Sequence, residues 1–188
     1  MEITDINVVE SLRKHDMEIF RLIYERYFRK LCLFAESYLY DEEEARDLVQ
    51  DLFFYIWSHA ASLKITVSLK AYLFAAVRNR CLNVLRERKI KDEGNDKLFE
   101  AMLFSGAYDI AIDENTEFRL KEALNSLPAK CREIILLKIL DEKKNKEIAL
   151  LLDIAETTVK TQVQRAYRML REKMIPVSLF IYWLCTKG

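Results

Sequence analysis

Few residues in this chain can make a tight turn, because it has three glycines and two prolines among its 188 residues. Hairpins that join β-strands depend heavily on those residue types. The apolar residues recur instead at intervals of three and four, which is the spacing of one buried face of an α-helix. With 51% hydrophobic and 32% charged residues, the chain can bury a core and still keep a solvated surface. We therefore predict an all-α fold.

One long aperiodic stretch interrupts the helical pattern, which predicts two small helical domains joined by a linker. Between residues 92 and 114 the apolar periodicity degrades, acidic residues dominate, and two of the three glycines occur. The predicted domains are 1–91 and 115–175. An apolar tail follows at 176–188.

Helix boundaries are predicted from the apolar periodicity and from capping residues. Asp41, Ser68 and Asn145 are the predicted N-caps of three of the helices. The stretch 58–67 lacks the periodicity and is predicted to be a loop. The predicted helices lie at 17–40, 42–57, 69–91, 129–140, 145–152 and 155–174.

Charge is balanced overall, with 30 basic and 30 acidic residues, so the net charge predicts no nucleic-acid partner. The distribution along the chain is uneven. Residues 36–51 contain seven acidic side chains and one basic one, whereas residues 70–91 contain seven basic side chains and one acidic one. An acidic block beside a basic block suggests two different partners.

The cysteines and histidines are too widely spaced to predict a metal site. The four cysteines form no CxxC pair, and no histidine lies near enough in sequence to complete a zinc pattern. We expect no metal, no cofactor and a reduced, cytoplasmic compartment. No secretion signal is recognised. No nucleophile with a base, paired carboxylates or phosphate loop is recognised either, so neither an enzyme nor a small-molecule substrate is expected.

The second predicted helix carries a polar strip that core packing does not explain. Asp47, Gln50, Asp51 and Phe54 lie opposite its apolar stripe. A large aromatic side chain among carboxylates suits a protein contact. The alternative is a solvated face with Phe54 packed against the linker, and these residues taken alone slightly favour that alternative.

The third predicted helix carries a strip suited to single-stranded or melted DNA. Amides can read base edges, an aromatic ring can stack on an unpaired base, and arginines can bind phosphates. A solvated helix with basic residues at its C-terminal end would explain Arg86, Arg88 and Lys89, but it would leave the tyrosine and the asparagines unexplained. The strip consists of Tyr72, Asn79, Asn83 and Arg86, with Arg78 and Arg80 at its flanks and with Arg88 and Lys89 extending its charge.

The run NKEIALLLDIAETTVKTQVQRAYRMLREK has the form of a helix-turn-helix, with the turn at Asp153 and Ile154. On the second of its helices Val159, Val163, Ala166 and Leu170 are predicted to pack inward. A plain helical hairpin is the less favoured interpretation, because hydroxyls, an amide and basic groups share the outward side and can contact major-groove bases and phosphates. The outward residues are Thr157, Lys160, Thr161, Gln164, Arg165 and Arg168.

The phrase ARDLVQDLFFYIW, followed by SLKAYLFAAVRNRCLNVLRERK, resembles the second domain of extracytoplasmic-function sigma factors. The phrase LKEALNSLPAKCREIILLKIL with KEIALLLDIAETTVKTQVQRAYRMLRE resembles their fourth domain. Together the phrases cover most of residues 15–175 in the family's order. The chain departs from the pattern at Asp153, where glycine is usual, although Asp tolerates the left-handed conformation. At Ala155 a hydroxyl cap is usual, and its absence should cost about 1 kcal/mol.

The resemblance implies a transcription initiation factor that works by binding. It implies that the strip with Phe54 docks on the clamp coiled coil of the largest polymerase subunit, and that an anti-sigma protein is a further partner. It implies that the loop 62–67 and the third helix melt and capture the minus-ten element of promoter DNA, and that the last helix reads the minus-thirty-five element. The implied minus-ten residues are Lys64, Tyr72, Arg78, Asn79, Asn83 and Arg86.

Two alternatives remain open. A conventional helix-turn-helix regulator whose first domain dimerises through Phe54 would bind duplex DNA without polymerase. A protein-binding adaptor would tolerate replacement of Asn79, Arg86, Gln164 and Arg168. The apolar tail at 176–188 is shorter than the roughly 20 residues needed to span a bilayer, and the resemblance does not explain it.

Overall fold

The computed structural model describes residues 5–65, 68–91 and 114–172. The regular secondary structure in these ranges is helical throughout, which confirms the all-α prediction. None of the described helices combines the length and the apolar character that crossing a membrane would require.

The chain divides into two compact units, Met1–Tyr108 and Asp109–Gly188, which we call unit 1 and unit 2. The predicted tail at 176–188 lies outside the described residues, and so does the predicted linker except for Glu114. The predicted domain boundaries therefore stay predictions.

In unit 1, capping side chains define where the helices begin. Asp41 accepts hydrogen bonds from the amides of Glu43 and Glu44 at 2.9 and 3.0 Å, and Ser68 Oγ accepts one from the amide of Ala71 at 3.1 Å. Both predicted caps are confirmed, and each satisfies amides that the first helical turn leaves without a backbone acceptor. The elements are α1 Asp5–Arg13, α2 Met17–Leu39, α3 Glu42–Ser58, a 3₁₀ helix Ala60–Ser62 and α4 Leu69–Lys91.

Helices α2, α3 and α4 pack against one another and form the core of unit 1. On the inner face of α4, Leu73, Val77 and Cys81 have no exposed surface, whereas Val84 is only half-buried. Phe74 is fully buried as well and meets the ring of Phe34 on α2 edge-on, with 4.9 Å between centroids. Each such side chain contributes about 1.5–3 kcal/mol through burial. The opposite face of α4 is thereby turned outward.

Two features of unit 1 were not predicted. Helix α1 buries Val8 and Leu12 and packs against α2 and the 3₁₀ helix. The 3₁₀ helix lies within the stretch predicted to be a loop. Arg13 at the end of α1 donates a hydrogen bond from Nη2 to the carbonyl of Leu63 at 2.8 Å. Helix α1 therefore holds the connection between α3 and α4 in place.

Unit 2 contains the predicted helix-turn-helix. Asp153 adopts the left-handed conformation, with φ and ψ both at 51°, as expected for the residue that stands in place of glycine. Val159, Val163, Ala166 and Leu170 are buried, which confirms the predicted inner face. The elements are α5 Glu114–Asn125, α6 Ala129–Ile139, α7 Asn145–Leu152 and α8 Glu156–Glu172.

The prediction that Asn145 caps α7 is wrong. Lys144 precedes the helix, and its amide donates to the carboxylate of Glu147 at 2.7 Å. Asn145 is only 3% exposed, and its Oδ1 accepts a hydrogen bond from Lys138 Nζ at 2.7 Å. A buried ammonium group needs hydrogen-bond acceptors. The side-chain amide of Asn145 therefore lies in the core of unit 2 and does not cap the helix.

We expect Asn145→Ala to destabilise unit 2 by about 2 kcal/mol, because hydrogen bonds to charged groups contribute roughly 1.5–3 kcal/mol and Lys138 has no exposed surface. Native-state amide hydrogen exchange in α6 and α8 measures this free energy directly. Asn125→Ala, at an exposed position near the end of α5, is the matched control and should change stability by less than about 0.5 kcal/mol. Equal protection in the two variants would rule out the bond as a stabilising contact.

Candidate functional site

The outer face of α8 presents a continuous polar surface. All six residues predicted to point outward are exposed, and they lie opposite the buried apolar row of the same helix. The hydroxyl of Thr161 donates to the carbonyl of Thr157 at 2.9 Å, which leaves its lone pairs free to accept. Lys160 lies 3.6 Å from the carboxylate of Glu156, and both side chains are about half-exposed. A helix with such a face can enter a major groove and contact base edges and phosphates.

Contacts with α6 and α7 fix the orientation of that face. Tyr167 is fully buried beside the predicted inner residues, a position that periodicity alone did not single out. Cys131 on α6 donates from its thiol to Gln162 Oε1 at 2.7 Å. The turn before α8 is closed by the amide of Ile154, which donates to the carbonyl of Ala149 at 3.0 Å. The outer face of α8 is therefore presented by a packed support.

The strip predicted on α4 is only partly outward. Asn79, Asn83 and Arg86 are exposed, and Arg86 donates to Asn83 Oδ1 at 3.2 Å. Tyr72 and Arg78 are half-buried instead. Burial raises the pKa of the Tyr72 phenol, and the neighbouring Tyr55 raises it further, whereas Arg80 lowers it. The predicted strip thus consists of an exposed segment at its C-terminal end and a half-buried tyrosine at its start.

The basic end of α4 meets the acidic start of α3. Arg88 forms an ion pair with Glu44, although 44 residues separate them in the sequence. The prediction that Arg88 extends the free positive charge of the strip is therefore wrong for this side chain. The side chain of Lys89 lies outside the described residues.

The strip predicted on α3 is fully outward. Asp47, Gln50 and Asp51 are exposed, and Phe54 is 73% exposed. The alternative contact of Phe54 with the linker falls outside the described residues. A phenyl ring in water surrounded by carboxylates forgoes burial that a protein partner can supply.

Sequence reasoning missed an aromatic cluster where α3 ends. The rings of Tyr55 and His59 are stacked, with 4.3 Å between centroids and 21° between planes. His59 Nδ1 lies 3.1 Å from the carbonyl of Tyr55, and Arg80 Cζ lies 5.6 Å from the centroid of the Tyr55 ring. The spacing of four residues between two ring-bearing side chains was the available signal.

The loop that carries Lys64 is anchored just before this residue. Lys64 is exposed, and it directly follows Leu63, whose carbonyl is held by Arg13. His15, beyond the end of α1, contacts the ring of Trp57 edge-on at 5.1 Å. Two contacts from the N-terminal segment therefore restrain the chain on both sides of the 3₁₀ helix.

The described residues show no arrangement that would activate a thiol or gather metal ligands. Cys32, Cys81 and Cys131 are free and buried, and burial raises the pKa of each thiol, that of Cys32 to about 12. A thiol with a raised pKa is a weak nucleophile. Within the described ranges no group of three or more His, Cys, Asp or Glu residues could hold a metal ion.

Two models of one protein family match this chain. Sigma-70 region 2 matches residues 23–90, and Sigma-70, region 4 matches residues 117–170. The first match contains the strips of α3 and α4, and the second contains the outer face of α8. The two matched regions lie in different units of the structure.

Individual relatives match over most of their length. The ECF RNA polymerase sigma factor SigW of Bacillus subtilis (strain 168) is 24% identical over 176 residues, which cover 88% of this chain and 94% of SigW. RNA polymerase sigma factor SigV of the same organism is 26% identical over 164 residues, with 87% of this chain and 89% of SigV covered. A solved structure of CnrH in complex with the cytosolic domain of CnrY covers 90% of this chain and 96% of that chain, with a TM-score of 0.41 and 19% identity.

Proposed function

Since this chain belongs to the sigma-70 family as a sigma factor of the extracytoplasmic-function type, we propose that it binds core RNA polymerase and directs transcription initiation at promoter DNA. The observation that carries the proposal is the distribution of three polar strips over two units, of which those on α3 and α8 are fully exposed and the one on α4 is exposed at its C-terminal end. Two of them lie in unit 1, on α3 and α4, and the third lies in unit 2, on α8. Each is backed by a buried apolar face, so its function lies in contacts with other molecules.

Docking on the polymerase is assigned to α3. Its strip of Asp47, Gln50, Asp51 and Phe54 combines exposed carboxylates with an exposed aromatic ring. The contacts that dominate the binding energy of an interface usually consist of an aromatic side chain that fills a pocket and of surrounding groups that form polar contacts. The clamp coiled coil of the largest subunit is the partner that we propose for this strip.

Capture of the minus-ten element is assigned to α4 and to the loop before it. The exposed Asn79 and Asn83 can hydrogen-bond to base edges, and basic groups around them can bind phosphates. Recognition of the minus-thirty-five element is assigned to α8, whose outer face has the hydroxyls, the amide and the basic groups that duplex readout requires. The minus-ten set is Lys64, Tyr72, Arg78, Asn79, Asn83 and Arg86, and the minus-thirty-five set is Thr157, Lys160, Thr161, Gln164, Arg165 and Arg168.

We propose the following domain organisation, in which each domain contacts a different partner or promoter element. Residues 1–91 contact polymerase and the minus-ten element, residues 115–175 contact the minus-thirty-five element, and residues 92–114 link them. The protein acts by binding in the cytoplasm and catalyses no reaction itself. An anti-sigma protein that covers one of the exposed strips is proposed as its regulator, on the basis of family membership.

The conventional helix-turn-helix regulator is not favoured. It would need only the second of the two matched regions, and it leaves the match of residues 23–90 to Sigma-70 region 2 without an explanation. A protein-binding adaptor would not need the polar outer face of α8, where six of six predicted DNA-contacting side chains are exposed.

Addition of this chain to purified core RNA polymerase should start transcription at defined sites that core alone does not use. Genomic DNA serves as the template, and sequencing of the transcript 5′ ends locates the start sites. Core without the chain gives the background. Identical 5′ ends in both reactions would defeat the proposal.

Phe54→Ala should weaken binding to core polymerase about 30-fold, since an anchor residue at an interface contributes about 2 kcal/mol or more. A competition assay against a labelled wild-type chain measures the change. Met17→Ala is the control, because Met17 is 61% exposed on another helix of unit 1. If both variants compete like wild type, α3 does not dock through this ring.

Gln164→Ala and Lys160→Ala should have different effects on promoter choice. Loss of an amide that reads a base should relax the preference at one position of the minus-thirty-five element by about 1–3 kcal/mol, while loss of a phosphate contact should weaken all sequences alike and reduce the salt dependence. Selection of promoter variants by holoenzyme at two salt concentrations separates these effects. Unchanged base preferences in Gln164→Ala would exclude this side chain from readout.

A further inference from the structure

The 3₁₀ helix Ala60–Ser62 is completed by a residue from the start of the chain. The amide of Leu63 donates to the carbonyl of Ala60 at 3.3 Å, and Leu63 itself adopts an extended backbone, with φ at −61° and ψ at 123°. The carbonyls at the end of a helix have no donor within that helix. Arg13 supplies one, because its Nη2 donates to the carbonyl of Leu63 at 2.8 Å across a sequence separation of 50 residues.

Arg13 is held at this position by a helix that is itself anchored in the core. Val8 and Leu12 of α1 are buried, and α1 packs against both α2 and the 3₁₀ helix. His15 follows α1 in the left-handed conformation, with φ at 55°, and its ring meets Trp57 edge-on. The guanidinium group is therefore presented to the Leu63 carbonyl by a packed support.

The hydrogen bond lies where the chain leaves the core. Leu63 is buried, whereas Lys64 directly after it is exposed. The carbonyl that Arg13 binds belongs to the peptide group that joins these two residues. The bond therefore restricts the backbone from which Lys64, a member of the proposed minus-ten set, projects.

We infer that Arg13 is a positioning residue for capture of the minus-ten strand, because its bond to the Leu63 carbonyl orders the start of the loop before promoter DNA arrives. The inference rests on the proposed function, and it gives a task to a residue outside the three strips. A loop that is ordered in advance loses less conformational entropy when it binds. Arg13 acts through the backbone next to Lys64 and makes no contact with DNA itself.

A purely structural role explains less of this arrangement. Ala60 and Leu63 are buried, so hydrophobic packing secures the 3₁₀ helix without Arg13. The Arg13 side chain is exposed, and its hydrogen bond is only partly buried. Water can replace such a donor, so the bond contributes little to the stability of unit 1 as a whole. Its effect is local, on the peptide group before Lys64.

Amide hydrogen exchange in the free full-length chain tests the local effect. In Arg13→Ala the amides of Ser62 and Leu63 should exchange about fivefold faster, because opening of the 3₁₀ helix then breaks one hydrogen bond fewer. The amides of α2, α3 and α4 should keep their protection. Arg21→Ala is the matched control and should change neither, since it removes the same charge from an exposed arginine whose partner Glu25 lies on the same helix.

Strand separation by the holoenzyme tests the function. The fluorescence of 2-aminopurine, placed in the minus-ten element of a promoter that the wild-type chain uses, reports the fraction of open promoter. Arg13→Ala should open about fivefold less promoter at equal occupancy, by the same loss of one hydrogen bond. Its affinity for core polymerase and the salt dependence of its promoter binding should equal those of the wild type. A phosphate contact by Arg13 would instead reduce the slope of that salt dependence by about one.

Four results would overturn the positioning role: unchanged exchange of Ser62 and Leu63, faster exchange with unchanged strand separation, loss of protection throughout unit 1, or a reduced salt slope, which would make Arg13 a phosphate contact. The exchange measurement needs neither polymerase nor DNA. A wild-type chain that opens no promoter would reject the proposed function, whereas unchanged exchange in Arg13→Ala would reject the positioning role alone.

Discussion

Burial of one face of each long helix is the constraint on which the rest of this structure depends. In α4, Leu73, Val77 and Cys81 are inaccessible to solvent. The ring of Phe74 packs edge-on against Phe34 of α2. A helix that is packed along one side cannot rotate about its axis, because protein interiors are close-packed and leave few voids. The positions of Asn79, Asn83 and Arg86 on the outside are therefore a consequence of core packing. The same reasoning applies to α8, where the buried Tyr167 and Leu170 direct Gln164 and Arg168 outward.

Regular periodicity was the part of the structure most accessible from sequence. The inner faces of α3 and α8 follow from 3.6-residue spacing, and Asp41 and Ser68 follow from the preference of short polar side chains for N-caps. Asp153 could be placed in the left-handed conformation because the turn of a helix-turn-helix demands it there. These inferences are local, and local physics determines them.

What the sequence could not provide depends on distant partners. Asn145 has the residue type of an N-cap, but its side chain accepts a hydrogen bond from the buried ammonium group of Lys138 instead. No local sequence pattern reveals that this contact competes with capping. The pairing of Arg88 with Glu44 depends on how α3 and α4 pack. Helix α1 has only nine residues, so its pattern was too short to stand out. By contrast, the four-residue spacing of Tyr55 and His59 was visible in the sequence and could have been used.

The pairing of Arg88 with Glu44 changes how the charge of unit 1 should be counted. A sequence count gives seven basic side chains in residues 70–91, but one of them is neutralised by the acidic start of α3. Both partners are partly exposed, at 48% and 34%, so the pair itself adds little stability. Its effect is on position instead, because it joins the C-terminal part of α4 to the start of α3.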